Sequence, residues 1–132
     1  MRLLNDECSP KMMSTQSLSF IGDCVYSLLV RERLCCEGIS KSGKLHSLSA
    51  KKVKAQAQAR DFKLIEHMLT DSELAVYKRG RNAYNNNTPK TATGGEYHSA
   101  TGVEALFGYL YLNGENDRIR ELFNVMWQSG IE

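Results

Sequence analysis

SLSFIGDCVYSLLV, residues 17 to 30, is the stretch on which the fold turns. Leu18, Ile21, Val25 and Leu28 recur at helical spacing, and Phe20, Cys24 and Leu29 widen the apolar stripe. Asp23 is its only charge. A lone carboxylate in such surroundings is costly to bury unless something pairs with it. One other stretch has the same character: SATGVEALFGYLYLN, residues 99 to 113, with Glu104 as its single charge. Two apolar helices carrying one acid each suggest that the acids meet. Carboxylates that meet repel each other, and a shared divalent cation bound through hard oxygen ligands relieves the repulsion. Asp23 and Glu104 are therefore the candidate catalytic pair and the candidate ligands of Mg²⁺, with Mn²⁺ as a substitute. On the residues alone, the plainer reading stays open: each acid lies at a helix edge and faces water.

Outward from the first stretch, a helix is expected from about Ser14 to Cys36. It stops at Gly38, a common residue just past a last turn. Residues 1 to 13 read as an arm, because Pro10 discourages a continuous helix through it. Residues 14 to 132 read as one domain. After the linker at Ser40 to Gly43, one long helical pattern runs from about Lys44 to Leu69. Thr70-Asp71-Ser72-Glu73 has the form of a capping box, Thr70 as the cap and Glu73 three residues on. It opens a helix that ends near Gly80 or Ala83. Asn85 to Tyr97, with Pro89, Gly94, Gly95 and three consecutive asparagines, reads as a loop. The Glu104 helix is expected from about Ser99 to Leu112, and a last amphipathic helix from about Asn116 to Gln128. No alternating β-branched pattern occurs. The fold class is all-α.

A chain of 132 residues suits one domain with one core. No apolar run reaches the roughly 18 to 20 residues of a membrane span. MRLLNDECSPK has acids and a proline where a signal peptide needs its apolar run, so a cytoplasmic protein is expected. Cys8, Cys24, Cys35 and Cys36 form no CxxC pair, and His46, His67 and His98 have no zinc-like spacing to them. Reduced thiols are the expectation. The net charge of +2 says little about partners, so position has to decide. Tyr77 to Asn82, YKRGRN, places cations at Lys78, Arg79 and Arg81 around a glycine. Such a run can follow a phosphate backbone, or it can be a basic helix end complementing the dipole. With Asn82, Lys90 of the loop and Lys52 of the second helical pattern, it forms the candidate phosphate-binding surface.

FIGDCVYSLLVRERL resembles the signature helix of the ribonuclease III family, and TGVEALFGYLYL resembles that family's second acidic helix. LHSLSAKKVKAQAQA, YKRGRNA and TPK narrow the resemblance to the Mini-ribonuclease III branch, which keeps the catalytic domain and lacks the double-stranded-RNA-binding domain. The resemblance implies an all-α homodimeric bundle that cleaves double-stranded RNA with Mg²⁺, the expected substrate being precursor 23S ribosomal RNA. It places the family's two catalytic acids on Asp23 and Glu104. It also implies in-line attack of metal-activated water, leaving 5′-phosphate and 3′-hydroxyl ends. Three positions depart from the wider family's acids: Gln16, Ser19 and Thr101. Two acids per site then remain, Asp23 and Glu104. The rival reading is a catalytically silent double-stranded-RNA-binding or ribosome-assembly protein on the same fold. A helical scaffold that dimerises without touching RNA is a second.

Overall fold

Ser14 starts the first helix by accepting the Ser17 backbone N–H on its hydroxyl, which satisfies one of the free donors of a helix start. This helix, α1, runs Thr15–Cys36 and ends as expected, with Gly38 at a φ of 87°. The computed structural model describes residues 2–4, 6–83 and 94–129. Five further α-helices follow: α2 (Ser42–Val53), α3 (Ala55–Phe62), α4 (Asp71–Asn82), α5 (Gly94–Leu112) and α6 (Asn116–Met126). Short 3-10 turns at Pro10–Met12, Glu66–Met68 and Trp127–Ser129 complete the order, and the described residues contain no strand. None of the described helices is long and apolar enough to cross a membrane.

Helix α5 is the axis of the bundle. It buries Ala100, Val103 and every residue from Ala105 to Leu110, and α1, α3, α4 and α6 pack around it. A helix that is apolar all round belongs inside. Helix α1 meets it along the row Leu18, Gly22, Tyr26, Val30 and Leu34, all buried. The four-residue repeat of that row makes the ridge that packs into a neighbouring helix. The inward face is therefore turned from the expected one. Phe20 is 79% exposed and Leu28 57%, while Ile21 and Val25 are half-buried. The wide apolar stripe splits into a core side and an outward side.

The capping box forms as read: Thr70 accepts from the Glu73 N–H, and Glu73 accepts from the Thr70 N–H. Glu73 is buried and is gripped by Arg118 of α6 through two bonds of 2.8 Å. Burial alone would raise its pKa, but the bonds from Arg118 and Thr70 hold it below the ordinary value.

Two expectations need correction. The pattern from Lys44 to Leu69 is not one helix: it breaks at Lys54, whose ψ of 154° is extended, and stops again after Phe62. The break folds α3 back so that Lys52 and Asp61 both lie inside, 3.2 Å apart. The Glu104 helix starts at Gly94 rather than near Ser99. Its first turn carries Glu96, favourable beside the positive end of the helix dipole. Of the expected loop, residues 84–93 lie outside the described residues.

Candidate active site

The two acids are brought together by glycine. A Cβ built at Gly22 would stand 1.6 Å from the Glu104 carbonyl oxygen, and one at Gly108 would stand 2.0 Å from the Leu18 carbonyl oxygen. Helices α1 and α5 thus touch backbone to backbone. Asp23 and Glu104 flank that contact, close enough that the charge of Asp23 bears on Glu104. Asp23 is exposed and Glu104 is half-buried. The Glu104 pKa is pushed up from 4.5 to about 8. Burial is the main cause, followed by the charge of Asp23; a hydrogen bond from Gln58 pulls the other way. Burial and the Asp23 charge thus favour the protonated form of Glu104, and positive charge nearby would favour the ionised one. Two hard oxygen donors, one open to solvent, fit Mg²⁺, which keeps several waters and takes one or two carboxylates.

The departures from the wider family are occupied locally. The Thr101 hydroxyl donates to the Tyr97 carbonyl at 3.1 Å, and the Ser19 hydroxyl to the Gln16 carbonyl at 3.3 Å. Among the described residues no group of three or more His, Cys, Asp or Glu side chains is assembled to hold a metal. The cysteines among them are free and exposed.

On α4, Gly80 faces inward against Gly102 and Ala105 of α5, close enough that a Cβ would lie 2.8–2.9 Å from them. This turns the flanking basic residues outward. Lys78, Arg79 and Asn82 are exposed and Arg81 is half-buried. Arg81 lies over the Tyr77 ring, 5.7 Å from its centre, and donates to the Asn82 side chain at 3.2 Å. Arg79 donates to the Met13 carbonyl at 3.4 Å. Lys52 does not belong to this surface, against expectation. It is 1% exposed, paired with Asp61, with its ammonium 4.9 Å from the centre of the Trp127 ring. A cation so enclosed cannot reach a phosphate. Lys90 lies outside the described residues.

The ribonuclease III domain model matches residues 16–115. The Mini-ribonuclease 3 of Thermoanaerobacter sp. (strain X514) is 41% identical over 116 residues, covering 88% of this chain and 82% of that protein. The chain belongs to the Mini-ribonuclease 3 family. It is thus an endoribonuclease of the ribonuclease III type. The Mini-ribonuclease 3 of Symbiobacterium thermophilum is 40% identical over 122 residues, 92% of this chain and 91% of its own length. Among solved structures, a crystal structure of a Fusobacterium nucleatum protein superposes with a TM-score of 0.84 at 26% identity, covering 93% of this chain and 95% of that one.

One neighbour of Glu104 carries no signal in the sequence. Gln58 of α3 is buried and donates to a Glu104 carboxylate oxygen at 3.5 Å. Within AQAQA it looks like one more solvated helix residue, and no spacing signals its burial.

Proposed function

We propose that this chain cleaves double-stranded RNA at the Asp23–Glu104 pair with Mg²⁺, that its substrate is precursor 23S ribosomal RNA, and that it works as a homodimer. The observation that carries the site is the backbone contact at Gly22 and Gly108, which forces two acids together on otherwise apolar helices. Mg²⁺ bound there would supply a water of lowered pKa and positive charge opposite the phosphate. Asp23, exposed at the surface of α1, presents its carboxylate towards solvent and substrate. Glu104, pushed towards its neutral form by burial, is the acid whose charge state answers to the cation. Water attacks phosphorus in line, the bond from phosphorus to the 3′ oxygen breaks, and that oxygen takes up a proton, which leaves a 5′-phosphate and a 3′-hydroxyl.

Lys78, Arg79, Arg81 and Asn82 supply phosphate contacts from α4, whose neighbour α5 carries Glu104. The wide minor groove of A-form RNA displays phosphates and 2′-hydroxyls, so recognition is by shape rather than sequence. The homodimer is supported by the outward side of α1. Phe20 and Leu28 are exposed there, beside an apolar cavity of about 520 Å³ lined by Ile21, Val25, Leu29, Tyr111 and Phe123. Large exposed apolar patches mark interaction surfaces.

Asp23→Asn and Glu104→Gln test the site. Each is expected to lose cleavage of double-stranded RNA at every Mg²⁺ concentration while keeping its helical circular dichroism and its RNA binding. Cleavage at the parent's rate in either variant refutes the assignment and places the reaction at other residues of this fold.

A further inference from the structure

The chain holds a buried glutamine directly against one of its two acids. Gln58 is 2% exposed. Its amide nitrogen lies 2.8 Å from the Val53 carbonyl and 3.5 Å from Glu104 Oε2. Its amide oxygen is buried with no hydrogen-bond partner.

The Val53 carbonyl can only accept, so the nitrogen end of the amide must face it. The same nitrogen then turns its second hydrogen to Glu104, and the orientation is fixed by the backbone rather than by the acid. That backbone is set by the break at Lys54, which separates α2 from α3. The orphaned oxygen is a cost to the fold, since a buried acceptor without a donor forfeits its hydration. An apolar side chain of the same length would fill the space without it. The bond to Glu104 is what the glutamine adds. At 3.5 Å it is long, and its donor is neutral. It steers the carboxylate without cancelling the charge a cation needs. A lysine in its place would compete with that cation, and the nearby Lys52 is already committed to Asp61 at 3.2 Å.

We propose that Gln58 is the positioning residue of the acid pair, anchored on the Val53 carbonyl and holding one oxygen of Glu104 so that the other is presented to the divalent ion. The proposal rests on the assignment of Asp23 and Glu104 as the metal-holding pair. Groups that orient metal ligands in this way typically account for tenfold to a hundredfold in metal affinity or activity.

Gln58→Met keeps the length and loses the donor. With the variant and its parent, Mn²⁺ binding is measured by calorimetry without RNA, and cleavage is followed across a Mg²⁺ series. The expected result is about tenfold weaker Mn²⁺ binding, a matching rise in the Mg²⁺ needed for half-maximal cleavage, an unchanged KM for double-stranded RNA at saturating Mg²⁺, and a thermal midpoint no lower than the parent's. Parent-like Mn²⁺ binding and Mg²⁺ dependence overturn the proposal, whatever happens to the midpoint. Gln58→Leu carries the same test if the methionine variant does not fold. Failure of both to fold makes Gln58 a structural peg of the α2–α3 joint and also overturns it. Glu104→Gln separates the two levels. If it keeps Mn²⁺ binding and cleavage, the acid-pair assignment has failed; if it loses both while Gln58→Met behaves as the parent, only the role of Gln58 has.

Discussion

Replacing Gly22 with alanine adds one methyl group at the tightest point of the molecule. That methyl would lie 1.6 Å from the Glu104 carbonyl oxygen, 2.5 Å from its carbon and 2.9 Å from the Gly108 nitrogen. All three are backbone atoms of α5, so no side chain can swing away. Relief to a still tight 3.0 Å requires the helices to part by about 1.4 Å. A gap of that size forfeits more than half of the dispersion energy of the atoms facing it. The layer affected contains Leu18, Tyr26, Val103 and Phe107, all buried. Overpacking commonly costs about 1–3 kcal/mol, and a clash with backbone belongs at or above the top of that range. Alanine's better helix propensity returns about 1 kcal/mol. The expected net loss is about 2 kcal/mol or more, a fall in Tm of roughly 6–10 °C for a domain of this size. The same parting moves Asp23 from Glu104 by about an ångström, enough to cost about a hundredfold in cleavage. Thermal melts by circular dichroism, with Mg²⁺-dependent cleavage of double-stranded RNA in parallel, read both effects. Gly43→Ala is the control: it lies in α2 with nothing within 4 Å of its added methyl, and should be neutral or stabilising. A Gly22→Ala protein that melts within a degree of the parent refutes the close contact and the site built on it.

Other outcomes are equally open to measurement. In EDTA the folded protein holds the Glu104 proton up to about pH 8, whereas the unfolded chain releases it near 4.5. The contribution of Glu104 to stability is therefore greatest below the lower value and is lost as pH rises towards the upper one. The gap bounds the loss at about 5 kcal/mol, less where salt screens Asp23; urea midpoints for Glu104→Gln should lack this slope, and parallel profiles would contradict it. Arg79→Ala combined with Arg81→Ala should raise the KM for duplexes of unrelated sequence and lower the salt slope by about one unit per lost contact. Identical behaviour across a salt series would leave the basic run as a solvated helix end. Phe20→Glu puts a charge where the side chain is 79% exposed, so it should leave the protomer folded and shift sedimentation from dimer to monomer; an unchanged dimer would place the interface elsewhere.

Local signals carried far in this chain. Ser14, Gly38 and the Thr70–Glu73 box set helix ends through bonds between near neighbours, and these were legible residue by residue. The lone acids on two apolar stretches were legible for the same reason: charge against background needs no third dimension. What failed was decided by distant partners. Lys54 carries no proline or glycine beside it, and the lysines, alanines and glutamines around it favour a continuous helix. The break there answers to burial of Lys52 with Asp61, a contact that propensity cannot express. Lys52 itself sits in a run of lysines that reads as solvated, whereas the structure pairs it with Asp61 and sets it against the Trp127 ring. Gly22 stood beside Asp23 in plain view, but the role of a missing side chain depends on what comes to fill its place.

The Trp127 ring has a consequence for the order of events as the chain is made. It covers the Lys52 ammonium and also lies 5.4 Å from the Arg33 guanidinium. Both cations belong to helices synthesised long before it. Until residue 127 clears the ribosome, the Lys52–Asp61 ion pair lacks the ring that covers its ammonium. The interior of this endoribonuclease is thus closed by a ring made well after the two cations it covers.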